Sequence, residues 1–118
     1  MIEETVLTYL NTALDVPVLM ELPEVPSEDY PEFPDSLVIV ELVGKSVENR
    51  LHNASIAFQS YGSSLYNAAA LDEQVRAAVE AMPEHTDISG AHLASNYNHT
   101  DTRTGRYRYQ CVYELYYV

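Results

Sequence analysis

Residues 106–118 read RYRYQCVYELYYV. Taken with the side-chain period of a strand, Tyr107, Tyr109, Cys111, Tyr113, Leu115 and Tyr117 fall on one side, and Arg106, Arg108, Gln110, Val112, Glu114 and Tyr116 on the other. The first set is wholly aromatic or apolar, which predicts a strand with one face against a core. Tyrosine suits such a strand because its ring buries area while its hydroxyl reaches toward a polar rim.

A strand of this kind needs neighbours. Just upstream, HTDTRTG (99–105) is rich in turn formers, so residues 88–98 are expected to pair back on the last strand as a hairpin. Leu37 to Val43, LVIVELV, reads as a strand with Val38, Val40 and Leu42 on one face and Leu37, Ile39, Glu41 and Val43 on the other. GKSVENRLHN reads as a polar connection, after which Ser55 to Tyr61 resumes as a strand with Ile56 and Phe58 on one side, giving a second hairpin. Val18 to Leu22 reads as a further short strand.

Two segments carry helical spacing. Ile2, Val6, Leu10, Ala13 and Leu14 recur at intervals of three to four, Glu3 and Glu4 sit where the helix dipole favours acids, and Asp15-Val16-Pro17 ends the run. The second helix follows Gly62, is capped by Ser63 or Ser64, runs through Leu65, Ala68, Leu71, Val75, Val79 and Met82, and is expected to stop at Pro83. Between the first strand and the next lies PEVPSEDYPEFPD (23–35), with four of the six prolines and the acids Glu24, Glu28, Asp29, Glu32 and Asp35. Proline removes ladder donors, so this stretch should be an extended acidic loop, and loops of that length tend to be functional. The predicted fold class is α+β: one mostly antiparallel β-sheet of about four to five strands, one long helix packed on a face, and a short N-terminal helix, all in a single domain spanning 1–118.

Charge narrows the function. The chain has 18 acids against 6 bases, a net of −12; residues 1–50 hold 11 acids and 2 bases, residues 51–118 hold 7 and 4. Such a field disfavours gripping DNA by its phosphates. Arg106 and Arg108 alternating with tyrosines is a pattern that stacks single-stranded nucleic acid, but the alternation places those arginines opposite the tyrosine face. A small single-stranded nucleic-acid-binding module is therefore the alternative of a different class. Arg103, Arg106 and Arg108 otherwise form a local basic patch able to pair with acidic surface on a neighbouring copy, and head-to-tail contacts of that kind close into rings.

Catalytic patterns are sparse. The four histidines, His52, His85, His92 and His99, form no HxH, HxxxH or HxxE spacing, no GxSxG turn presents a nucleophile, and no GxxxxGK[ST] or GxGxxG cradles a phosphate. The expectation is a protein that is not an enzyme, with no catalytic residue, cofactor or metal. Cys111 is the sole cysteine, which excludes an intrachain disulfide and suits a buried hydrophobe in a reduced compartment. MIEETVLTYL lacks the bases of a signal peptide, and no apolar run approaches the ~20 residues that cross a bilayer, so no membrane is expected as a partner and the sequons at Asn53 and Asn98 are read as chance.

QSYGSSLYNAAALDEQV (59–75) and SNYNHTDTRTGRYRYQCVYEL (95–115) resemble the tail terminator, or tail completion, family of long-tailed phages and prophages. The likeness covers most of the chain apart from the acidic proline loop; Gly105 stands where the family suggests a base and His99 where it suggests an aromatic. The resemblance implies a structural virion protein of the tail–neck junction, assembled in the bacterial host cytoplasm. It implies a homo-oligomeric ring of usually six subunits that caps the tail tube, stops its polymerisation and joins a head-side connector, with DNA as passing cargo. On that reading Glu24, Glu28, Asp29, Glu32 and Asp35 face the lumen or a partner, and Arg103, Arg106 and Arg108, with Tyr116 and Tyr117, lie at subunit or tube contacts. Within the same class the alternative is a head–tail connector or stopper of the neck.

Overall fold

The computed structural model describes residues 1–118. Its elements in chain order are α1 (Ile2–Ala13), β1 (Val18–Leu19), β2 (Leu37–Glu48), β3 (Leu51–Gly62), α2 (Leu65–Glu80), α3 (Met82–His85), β4 (Ile88–Asn98) and β5 (Tyr107–Tyr117). The five strands make one sheet in the order β1-β2-β3-β5-β4, with β1 parallel to β2 and every other pairing antiparallel. The α+β class, the single sheet, the long helix on its face and the N-terminal helix all stand as expected.

The helices cover one face only. Ile2, Val6 and Leu10 of α1 and Leu71, Val75 and Val79 of α2 join Val38, Val40, Ala54, Ile56, Phe58, Cys111, Tyr113 and Leu115 from the sheet in one buried core. Phe58 and Tyr113 meet edge to face at 6.2 Å, a geometry that adds ~0.5–1.5 kcal/mol beyond the area they bury. Tyr9 ties the helices together by donating to the carbonyl of Ala78 at 2.8 Å. Ser64 caps α2, its hydroxyl accepting from the Asn67 amide at 3.0 Å.

Four expectations need correction. Strand β1 is only Val18–Leu19 and not Val18 to Leu22. The Asn11 side chain occupies its free side, donating to the Val18 carbonyl and accepting from the Val18 amide, both at 3.1 Å, and Pro23 has no amide to extend the ladder. GKSVENRLHN is not a connection but mostly strand: β2 runs to Glu48, β3 starts at Leu51, and Asn49 and Arg50 alone turn the chain with φ of 52° and 67°. Two positive-φ residues are what a tight hairpin with right-handed strand twist requires. Helix α2 ends at Glu80, and Pro83 lies in the first turn of the separate α3, where a missing amide costs nothing.

The fourth correction concerns the tyrosine strand itself. Cys111, Tyr113 and Leu115 are fully buried and Tyr117 is half-buried, but Tyr107 is 42% exposed, so only the second half of the strand lies against the core. The Tyr113 ring is fully buried while its hydroxyl donates to the carboxylate of exposed Glu80 at the C-terminal end of α2. Burial first, and that carboxylate second, push the phenol's pKa up.

Candidate functional site

The face of the sheet without helices has two parts. At one end the acidic loop folds over it: Leu19 and Phe33 pack on buried Leu37, Ile39 and Tyr61, a second small apolar cluster. Phe33 meets Tyr61 edge to face at 5.9 Å, and the Arg106 guanidinium sits 3.9 Å above the Phe33 ring. Arg108 donates from Nε to the His99 carbonyl at 2.5 Å and from Nη1 to the Tyr61 hydroxyl at 2.9 Å. The loop is thereby clipped to the sheet by one aromatic and one cation, while Glu24, Glu28, Asp29, Glu32 and Asp35 are all exposed.

The rest of that face is open and polar. Gln59 on β3 donates to Glu41 on β2 at 3.3 Å and to Gln110 on β5 at 2.9 Å, and Gln110 donates to the Tyr97 hydroxyl on β4 at 2.5 Å. This chain of side chains crosses four strands perpendicular to their direction. Further along, Ser55 donates to the Glu114 carboxylate at 2.7 Å, and Tyr116 meets His92 edge to face at 5.5 Å. The face carries the acids Glu41 and Glu114, uncovered by any helix.

The anticipated arginine patch is divided by these contacts. Arg106 and Arg108 are half-buried and engaged within the chain, whereas Arg103 is exposed. Arg103 lies in a turn organised by Asp101, whose Oδ1 accepts from the Arg103 amide at 3.0 Å and whose Oδ2 accepts from the Thr104 hydroxyl at 2.9 Å. The Thr104 hydrogen bond and then the backbone donors hold that carboxyl below the usual range. Gly105 follows with φ of 73°, a conformation that disfavours the base the family resemblance suggests there. Tyr116 and Tyr117 are split between faces: Tyr116 is on the open one, and Tyr117 stacks on His52 at 5.1 Å beside the core.

On the helix side, one buried charge is prominent. Asp72 on α2 is 2% exposed; Asn96 donates to both of its oxygens at 3.1 and 2.9 Å, and Arg76 Nε lies 3.3 Å away. Burial raises its pKa against the lowering effect of Asn96 and Arg76. Burial, and then the neighbouring Asp72 charge, push the Cys111 thiol up. No three His, Cys, Asp or Glu side chains are gathered as metal ligands would be, and no helix is long and apolar enough to cross a membrane.

Sequence reasoning picked out the charged ends of this surface and missed its middle. Phe33 was hidden among prolines and acids, and the Glu41–Gln59–Gln110–Tyr97 line is scattered over four strands. Its one local signal is polar residues interrupting otherwise apolar strand runs. Comparison of the chain with protein-family models gives no match, and comparison with curated proteins gives none either.

Proposed function

We propose that the chain is a tail terminator of a long-tailed phage or prophage, a ring-forming virion protein that ends the tail tube and joins it to the head-side connector. The observation that carries the reading is the asymmetry of the sheet. All helices lie on one face; the other is polar, bears Glu41 and Glu114, and has an acidic loop clipped to it. In a ring with that face inward, and with a net charge of −12 per copy, the lumen repels phosphates and lets DNA slide without adhering. Glu24, Glu28, Asp29, Glu32 and Asp35 then supply charge to the lumen or to the tube. Arg103 is the basic residue best placed to meet a neighbour, because Arg106 and Arg108 already have partners.

The test is deletion of the gene in the phage or prophage that carries it, with electron microscopy of the lysate. Overlong, headless tails support a terminator. Tails of normal length that fail to join filled heads assign the chain to the connector, and infectious particles of normal form overturn the structural role. Salt-sensitive retention of single strands by the purified protein would point to nucleic-acid binding in its place.

A further inference from the structure

The sheet has two open edges of different character. Strand β4 is the outer strand on one side for its full length, Ile88–Asn98, and its sequence ISGAHLASNYN contains no Lys, Arg, Asp, Glu or Pro. Edge strands exposed to water are ordinarily guarded by such residues, because a free row of amides and carbonyls invites another strand. Here the two register shifts, at Ile88/Gly90 and Leu93/Ser95, bend the edge, yet Leu93 remains 46% exposed and Tyr97 42%. An unguarded strand of eleven residues in a chain this heavily charged reads as a surface kept for pairing.

The opposite edge is half closed. Because β1 pairs only with Val38 and Ile39, no strand of the chain pairs with the outer side of β2 from Glu41 to Glu48; Lys45 on that stretch reaches the Glu3 carboxylate of α1 at 3.4 Å, and the ladder to β3 shifts register at Leu42/Gly44. Val43 and Val47 on that stretch are each 61% exposed. We infer that β4 of one copy pairs antiparallel with the Glu41–Glu48 stretch of β2 in the next, joining the sheets of successive copies into one closed wall.

Strand direction supports this occupant. Three antiparallel joins separate β2 from β4, so the two run in opposite directions within a copy. Copies placed side by side in the same orientation and with the same face inward therefore meet antiparallel at every joint, the condition for a head-to-tail ring. Pairing of β4 with β4 across a two-fold axis leaves both β2 edges and their valines in water; the head-to-tail joint covers the Glu41–Glu48 edge and the β4 edge together. It opposes no like charges, since β4 brings none to meet Glu41, Lys45 and Glu48.

This inference rests on the ring reading and names the joint within it. The experiment uses the full chain, in which the only native thiol, Cys111, is buried. One set of variants carries a cysteine on β4 (Ala91→Cys, Leu93→Cys, Ala94→Cys or Ser95→Cys) and another carries one on β2 (Val43→Cys, Lys45→Cys or Val47→Cys). Pairs are mixed, oxidised and run without reductant. The expected result is a disulfide dimer in mixtures of a β4 with a β2 variant, for neighbouring positions in one register, and a ladder ending at the ring size when both cysteines share a chain. Leu93→Lys and Val47→Lys, folded by circular dichroism, should each reduce the oligomer to monomer by mass. Dimers from β4 variants alone overturn the joint in favour of two-fold pairing. An oligomer with no cross-link in any register, or a chain monomeric at millimolar concentration, also overturns it. None of these readouts depends on tail length, so a cross-linked ring whose deletion leaves tails normal retires the terminator and retains the joint.

Discussion

Gly62 closes strand β3, and helix α2 begins three residues later at Leu65. A Cβ added there would stand 2.4 Å from the Ala68 amide nitrogen, 2.8 Å from the Asn67 carbonyl carbon and 2.9 Å from the Ala68 Cα. All three are backbone atoms of the first turn of α2, so no side chain can swing aside. To reach ordinary contact, near 3.4 Å, the helix start must retreat by about 1 Å, opening a gap beside Ala68, which is fully buried. Overpacking of this kind costs ~1–3 kcal/mol, and a backbone obstacle places Gly62→Ala near the top of that range. The substitution also restricts the unfolded chain, which offsets about 0.7 kcal/mol. A net loss of ~2 kcal/mol, read against a shift of about 4 °C per kcal/mol for a chain of this size, lowers Tm by roughly 8 °C. Thermal unfolding followed by circular dichroism measures it, with Gly44→Ala as the control. A Cβ at Gly44 meets nothing within 4 Å, so that variant should match or slightly exceed the parent. Equal Tm values for the Gly62→Ala and Gly44→Ala variants would refute the close-approach argument.

Three further outcomes are expected. Tyr113→Phe removes a buried hydroxyl bonded to the Glu80 carboxylate; since Glu80 is exposed and can turn to water, the loss in a urea titration should be ~1–2 kcal/mol, and no loss would deny that bond any role in stability. Asp72 has a raised pKa in the folded state, so the fold binds its proton more tightly than the unfolded chain does; the wild type should gain stability relative to Asp72→Asn as pH falls through the folded pKa to below the unfolded value of 3.8, and parallel pH profiles of the two would contradict this. Arg106→Ala should speed amide exchange and glutamate-specific cleavage around Glu32 while changing global stability by no more than ~1 kcal/mol, and unchanged protection would mean that Phe33 holds the loop unaided.

Where one face of an element carries most of the apolar residues, the sequence was sufficient. The spacing of Val6 and Leu10, of Leu71, Val75 and Val79, and of Cys111, Tyr113 and Leu115 leads directly to the buried core, because each set has only one way to leave water. The failures have local causes. Asn49-Arg50 was unreadable as a two-residue turn since its second position lacks the glycine that such turns favour, and the strands around it are polar because they extend beyond the helices that would bury them. Pro83 looked like a stop because a helix end and a new helix start place proline similarly. The acidic loop's core was legible from its prolines, but not its start at residue 20, where β1 ends early, nor its anchoring, because the Arg106–Phe33 contact joins residues far apart in the chain. The arginines were identified by charge alone, and charge does not reveal that Arg108 is already held by Tyr61 and His99.

The burial of Cys111 bears on where such a molecule can endure. Oxidation, glutathione capping and disulfide exchange all proceed through a reachable thiolate, and this sulfur has neither exposure nor a readily lost proton. The folded chain therefore has no cross-link to gain or lose through this sulfur on passing from a reducing cell interior to an oxidising medium.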